Sequence, residues 1–272
     1  MKDTDRTAVQ RSLFTDTGAD IVYEQPLSER IRTFLRLEHL FAVIAANAPG
    51  ESEWNSRVAI AAMIDITDLL SRSDLKAELM KELDRQAAVL AGLKRNPRVD
   101  LGRLEDALTS LDGVMVNLRA PDYQPGQTLR RDELVAAIRQ RIAIPGGTCN
   151  FDLPAFHFWL TAPAPRRIAR LRGWSADLEA LREGIDLALK IIRASAAPSH
   201  ETAGAGFFQQ PLDTSVSCHL IRVGLPAASA FFPEVSAGKH RFTIRFLTQP
   251  ETQGRPSQTG EDVPFVLERC VM

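Results

Sequence analysis

The sequence predicts an α+β protein: a mostly α-helical body with a small, largely antiparallel β-sheet domain formed by an N-terminal strand and C-terminal strands. Three observations predict it. Apolar residues recur at three- and four-residue spacing from about residue 28 to 193, the period of buried helix faces. After Pro198 that period gives way to short alternating runs, of which Arg241-Phe242-Thr243-Ile244-Arg245-Phe246 is the cleanest. Near the N-terminus, Ile21-Val22-Tyr23 reads as a strand closed by Pro26, and a lone strand needs partners. The expected organisation is a disordered leader over 1–19, a strand segment over 20–27 that joins the β domain, a helical domain over 28–198 and a β domain over 199–272.

The elements follow in order. Ser28 caps a first helix running to about Asn47, with Ile31, Phe34, Leu35, Phe41 and Ile44 as its buried stripe. After the Pro49-Gly50 break a second helix runs from near Glu53 to Leu70. Ser73 or Asp74 caps a third, carried by Leu75, Leu79, Leu83, Leu90 and Leu93 and stopped by Pro97. Asp100 caps a fourth, carried by Leu101, Leu104, Leu108, Leu111 and Leu118. A loop over 121–126 precedes a fifth helix over about 132–143, which the Pro145-Gly146-Gly147 corner ends. Asp152 can cap a short aromatic helix with Pro154 in its first turn. The pattern from Ile168 to Ile192 predicts a long helix that Gly173-Trp174-Ser175 breaks or kinks. Residues 199–215 read as loop, and 217–223, 241–246 and 264–269 as strands that form one four-stranded sheet with the N-terminal strand.

Composition narrows the function. Hydrophobic content of 44% and charged content of 25% describe an ordinary globular protein. A net charge of −1 argues against general nucleic-acid binding, although a local patch survives it. Three cysteines, Cys149, Cys218 and Cys270, are too few for a disulfide framework and point to a reducing, cytoplasmic setting. The N-terminus has no apolar signal-peptide core, and no apolar run reaches the ~20 residues of a membrane helix, so no membrane insertion is expected. Of 33 basic residues only six are Lys; genomic base composition accounts for the total, and the match of guanidinium forks to carboxylate partners bears on the clusters.

The basic residues cluster. Arg32, Arg36 and His39 share a helix face, either a solvated face or an anion-binding one. Arg241 and Arg245 share a strand face behind Lys239 and His240, as at a charge-protected sheet edge or a surface for an acidic peptide. Between 130 and 193 eleven basic residues face seven acidic ones, a local excess that suggests an acidic partner. Cys149 and His157 could in principle pair as nucleophile and base, but no signature surrounds either, and a buried thiol is the simpler reading. His157 itself reads as a partly buried histidine or as a donor at the edge of an apolar pocket. No His/Cys spacing suggests a metal site, no cofactor motif is present, and Asp68/Asp74 and Glu82/Asp84 read as solvated helix faces. The chain reads as no enzyme, and a nucleic-acid-binding module using the Arg patches is the alternative.

Several runs, in one order, carry a resemblance: 23–38 (YEQPLSERIRTFLRLE), 81–86 (KELDRQ), 139–147 (RQRIAIPGG), 149–154 (CNFDLP) and 239–246 (KHRFTIRF). Together they resemble the ZapD family of cell division proteins over roughly residues 21–270. The resemblance implies a non-enzymatic cytoplasmic protein, recruited to the division ring at mid-cell. It implies a homodimer that binds the C-terminal tail of the tubulin-like GTPase FtsZ and bundles its filaments. The tail-binding residues it implies are Arg32, Arg36, His157, Arg241 and Arg245, with Arg130, Arg139 and Arg141 as additions. The chain departs from the family pattern at Glu133, where the family's residue is an arginine.

Overall fold

The computed structural model describes residues 20–72, 74–97, 99–213, 215–249 and 254–272. The expected leader over 1–19 and the alternative cap Ser73 lie outside the described residues. Within them the chain is α+β, as the periodicities predict, and divides into two compact units. One comprises residues 20–32 and 190–272, the other 33–189. The divisions fall inside two helices, α1 (Glu29–Asn47) and α9 (Glu179–Ala194).

The first unit holds two antiparallel sheets. Strand β1 (Ile21–Pro26) pairs with β4 (Cys218–Leu225), β4 with β8 (Val263–Val271), and β8 with β2 (Pro198–Ala203). The second sheet is β3 (Phe207–Pro211), β6 (Arg241–Thr248) and β5 (Phe232–Ala237) in that order, with the two-residue β7 (Ser257–Gln258) also on β6. Alternate residues meet between the sheets. Ile221, Val223 and Leu225 of β4, Val263, Phe265 and Leu267 of β8, and Phe242, Ile244 and Phe246 of β6 form one buried cluster. The ring of Phe265 lies 5.2 Å edge-on to Phe208 and 5.0 Å from Phe246, aromatic spacing that adds to area burial. This is sandwich packing, and it corrects the expected single sheet. The strand 241–246 belongs to the second sheet, and 199–215 is not a loop but contains β2 and β3. Both are short and polar or Pro-ended, like many edge strands, so they lack the alternation that reveals a half-buried one. For the same reason β5, with Pro233 inside it, escapes a pattern search.

Strands β4 and β8 are buried on both faces: Leu220, Val266 and Cys270 are buried as well as the residues between the sheets. On that second face Glu24, Arg222 and Glu268 stand directly opposite one another across β1, β4 and β8. Arg193, near the end of α9, holds Glu24 through two hydrogen bonds of 2.8 Å. Arg222 Nε donates to Glu24 at 2.9 Å, and its Nη1 to Glu268. Burial by itself disfavours the Glu24 carboxylate, but the Arg193 and Arg222 guanidinia outweigh it and hold its pKa below the usual value. Cys270, buried beside this row, has its thiol pushed up to about 12 by desolvation, so it is an inert apolar group.

The second unit is helical. Ser28 Oγ accepts from Ile31 N at 3.3 Å at the start of α1. Ile31, Phe34, Phe41 and Ile44 are buried as expected, Leu35 is half-buried, and Leu37 joins the stripe. Next come α2 (Glu53–Arg72), α3 (Leu75–Gly92) and α4 (Leu101–Arg119). Asp74 and Asp100 cap the last two by accepting from Ala77 N and Arg103 N at 3.0 and 3.2 Å. The leucine stripes hold in part: Leu75, Leu79, Leu83, Leu104, Leu111 and Leu118 are buried, while Leu93 and Leu101 are exposed. A short helix α5 (Gln127–Arg131), which was not expected, precedes α6 (Glu133–Arg141). Then follow α7 (Pro154–Leu160), α8 (Ala164–Ser175), a 3-10 turn over Ala176–Leu178, and α9. The predicted break at Gly173-Trp174-Ser175 is thus the boundary between two helices. Gly184 of α9 is closely packed, since a Cβ there would lie 2.8 Å from Leu79 Cδ2 and that side chain would have to shift.

Two sequence expectations fail here. Glu82 is not on a solvated face but fully buried, accepting from Arg85 Nη2 at 2.5 Å and from Gln86 Nε2 at 3.0 Å, while Gln86 also donates to the Ala188 carbonyl of α9. Asp152 does not cap α7, whose first residues follow Leu153 with no side-chain cap.

Glu24→Gln removes the ionised centre of the Arg193–Glu24–Arg222 row. Because the Glu24 pKa is lower in the fold than in the unfolded chain, its stabilisation is complete above the unfolded carboxylate value and is lost as pH falls through the folded one. The variant is therefore expected to be less stable at pH 7 by on the order of 2–3 kcal/mol, since Glu24 is only partly buried. The difference shrinks as pH drops below about 4. Urea denaturation of both proteins across pH 3–8 measures it.

Candidate basic surface

The second unit builds a basic region from α2, α6, α7 and the corner between the last two. Asp132 starts it. Its Oδ1 caps α6 through Leu134 N and Val135 N at 3.0 and 3.2 Å, and its Oδ2 accepts from Trp174 Nε1 at 2.9 Å and from Arg170 of α8. Burial favours the neutral acid, but these donors outweigh it and keep the Asp132 pKa below its usual value. Helix α6 is thus tied to α8 at its first turn. At its last turn Arg139 pairs with Asp68 of α2 at 2.6 Å.

The chain then turns through the corner. Gly146 takes a left-handed φ of 72°, which favours glycine. Gly147 lies so close to the Arg141 carbonyl that a Cβ would sit 2.6 Å from it. Thr148 follows, and Arg57 of α2 reaches it with Nη1 3.3 Å from the carbonyl and 3.4 Å from Oγ1. The same guanidinium lies over the rings of Trp54 and Phe156, at 5.4 and 4.9 Å, so α2, the corner and α7 share one arginine. Phe156 and Trp159 of α7 stack at 6.0 Å, and Trp159 meets Trp174 of α8 at 5.5 Å. Arg167 of α8 is buried and donates to Ser56 Oγ at 2.6 Å and to the carbonyls of Glu51, Ser52 and Ala162.

The predicted site residues fall in both units. Arg36, His157, Arg130, Arg139 and Arg141 belong to the helical unit, and Arg32, Arg241 and Arg245 to the other. Several already have partners. Arg32 pairs with Glu29 at 3.2 Å, Arg245 with Glu234 of β5 at 2.7 Å, and Arg130 Nη2 donates to the Pro125 carbonyl at 2.8 Å. Arg141, Arg241 and the His157 imidazole are exposed and have no side-chain hydrogen bond or ion pair among the described residues. His157 is therefore not the partly buried histidine of the sequence reading. Strand β6 is central in its sheet, so Arg241 and Arg245 do not guard an edge. Cys149 Sγ lies 3.5 Å from Asp152 Oδ2, and no Cys149–His157 hydrogen bond occurs among the described residues. Among those residues no cluster of three or more His, Cys, Asp or Glu could hold a metal ion, and no helix is long and apolar enough to cross a membrane.

Sequence reasoning missed Trp54 and Arg57. Helix α2 is apolar on most of its circumference, so its pattern does not say which apolar residues face solvent. The one available signal was an arginine three residues after a tryptophan, spacing that puts both on one face.

Comparison with known proteins locates the chain. The ZapD family model, described as a cell division protein, matches residues 35–245. The cell division protein ZapD of Methylococcus capsulatus is 42% identical over 252 residues, 93% of this chain and 98% of that protein. That of Azoarcus sp. is 38% identical over 93% of this chain and 100% of its own length. That of Coxiella burnetii is 36% identical over 92% and 97%.

Charge reversal separates the paired from the unpaired arginines. Arg139→Glu faces Asp68 with a like charge and is expected to lose on the order of 1 kcal/mol at low salt. Arg141→Glu, with no partner to lose, stays within about 0.5 kcal/mol of the parent. Equilibrium urea unfolding at low and high salt distinguishes them.

Proposed function

Since this chain belongs to the ZapD family of cell division proteins, we propose that it binds the C-terminal tail of FtsZ, crosslinks FtsZ filaments and so promotes assembly of the division ring. The observation that supports this reading best is the unbalanced charge of one stretch of the helical unit. From residue 130 to 172 there are eight arginines against three carboxylates, Asp132, Glu133 and Asp152. Arg141 and His157 are exposed in that stretch without a carboxylate partner among the described residues. An acidic, flexible tail would supply what they lack, through charge-assisted hydrogen bonds.

Arg32, Arg36, His157, Arg241 and Arg245 are the proposed tail contacts, with Arg130, Arg139 and Arg141 as additions. The existing partners rank them. Arg141, Arg241 and His157 are available at once, whereas Arg32, Arg139 and Arg245 must exchange an internal carboxylate for that of the tail. Such exchange costs little at an exposed pair, because exposed ion pairs contribute about 1 kcal/mol or less.

Crosslinking needs two filament sites per particle. A homodimer supplies them from one weak site per protomer, and avidity along the polymer multiplies the effect. The protein would then act in the cytoplasm, at the mid-cell ring. No covalent chemistry is required of it.

Co-sedimentation with polymerised FtsZ tests the reading. The protein is expected to pellet with full-length FtsZ and to stay in the supernatant with FtsZ lacking its tail; equal pelleting with both would sink it. Reversing Arg36 and Arg141 together is expected to weaken pelleting by roughly tenfold at low salt and less at high salt, because exposed charges are screened.

A further inference from the structure

The most exposed aromatic side chains of the helical unit lie beside its basic stretch. Phe151 and Phe158 are 81% and 80% exposed and Trp54 is 66% exposed. Val58, Ile142 and Ile144 are exposed as well. Six apolar residues in solvent mean little when scattered, and mark a contact surface when contiguous.

The local geometry places them on three neighbouring segments: α2, the segment 139–151 and α7. Trp54 and Val58 lie one turn apart on the solvent stripe of α2, which continues through Asp65. The segment from Arg139 to Thr148 is pinned to α2 at both ends, by Arg139 to Asp68 and by Thr148 to Arg57. Those two anchors are eleven residues apart on α2, about 16 Å of helix, so the segment carrying Ile142 and Ile144 runs alongside that stripe. From Thr148 the chain passes through Phe151 into α7. There Phe156 is the buried ring under Arg57, and Phe158 projects from the opposite side of the helix.

We infer that Trp54, Val58, Ile142, Ile144, Phe151 and Phe158 form the apolar half of a peptide-docking surface, whose basic half is Arg57, Arg141 and His157. The occupant is a short segment that carries both carboxylates and large apolar side chains. Charge complementarity selects it. Ile142, Ile144, Phe151, Phe158, Arg141 and His157 lie in the stretch with eight arginines against three carboxylates, and Arg57 adds a guanidinium beside Trp54. A second copy of this chain would bring the same excess across a two-fold interface and set arginine against arginine. An acidic peptide instead neutralises it while its apolar residues cover the rings, and Arg57 already shows a guanidinium held between two of them. The inference rests on the reading that the partner is the FtsZ tail, and it adds that charge alone does not account for the binding.

The test is fluorescence anisotropy of a labelled FtsZ C-terminal tail peptide with the full-length protein. Phe151→Ser/Phe158→Ser and, on a different element, Trp54→Ser are compared with wild type at low and high salt, with light scattering for mass. Each is expected to weaken peptide binding by about tenfold at both salt concentrations, since apolar burial is not screened. Arg141→Glu is expected to weaken it mainly at low salt, and Val116→Ser, an exposed apolar residue of α4, to leave it unchanged. Wild-type affinity in both aromatic variants overturns the inference and leaves the tail reading standing. Wild-type affinity together with a fall to half the wild-type mass overturns it in favour of a contact between copies. No binding of the peptide by the wild-type protein overturns the tail reading, and this inference with it.

Discussion

Glu24 is the point on which the first unit depends. A partly buried carboxylate is costly unless charged donors surround it, and the donors here come from distant parts of the chain. Arg222 belongs to β4 and Arg193 to the end of α9, 198 and 169 residues away in sequence. Satisfying Glu24 therefore requires β1 to pair with β4, and β4 to lie where α9 ends. It also sets the register. A one-residue slip of β1 would turn Glu24 onto the opposite face of the sheet, where Ile221, Val223 and Leu225 pack against Phe242, Ile244 and Phe246. Buried ion pairs are weak evidence for net stability, since well-packed apolar residues often do as well. In this sheet they tie β1, β4, β8 and the end of α9 to one another in the observed register.

Arginine has two roles in the helical unit. Arg167 is fully engaged with four internal acceptors, Arg170 and Arg139 close ion pairs, and Arg57 joins a carbonyl to two aromatic rings. A guanidinium suits this work because its planar fork presents five donors and stacks on rings, which an ammonium does not. The cationic surface left for a partner is accordingly smaller than the composition suggests. It is concentrated where α6 ends and α7 begins. The tight corner at Gly146 and Gly147 orients both helices, with Gly147 packed onto the carbonyl of Arg141 itself.

The proposed docking surface joins two kinds of interaction with different ranges. Exposed charges act over about 10 Å at moderate ionic strength and speed encounter, while aromatic contacts act only at touch and lengthen residence. The proposed bundling of filaments needs weak individual contacts that can be remade as polymers slide or shorten, and avidity along the polymer compensates for their weakness.

Local chemistry made much of this legible. Ser28, Asp74 and Asp100 announce helix starts because a side-chain oxygen must satisfy the first free N–H groups. Phe242, Ile244 and Phe246 declare a buried strand face by period alone. Collinear runs such as 139–147 and 149–154 located the family. What needed the tertiary structure is whatever depends on residues far apart. Two sheets and one sheet share the same strand pattern, and the polar strands β2 and β3 have no pattern of their own, since hydrogen bonds to a neighbour define an edge strand. Whether Glu82 is solvated or buried depends on α9, a hundred residues later. Which arginines are neutralised depends on the carboxylate each one meets: Arg245 stands opposite Glu234, Arg241 opposite Pro211. The sequence by itself determined most of the helices, the caps at Ser28 and Asp100, the buried face of β6 and the kinship. Only the fold decided which charges and which aromatic rings remain in water, because pairing and burial are properties of neighbours in space.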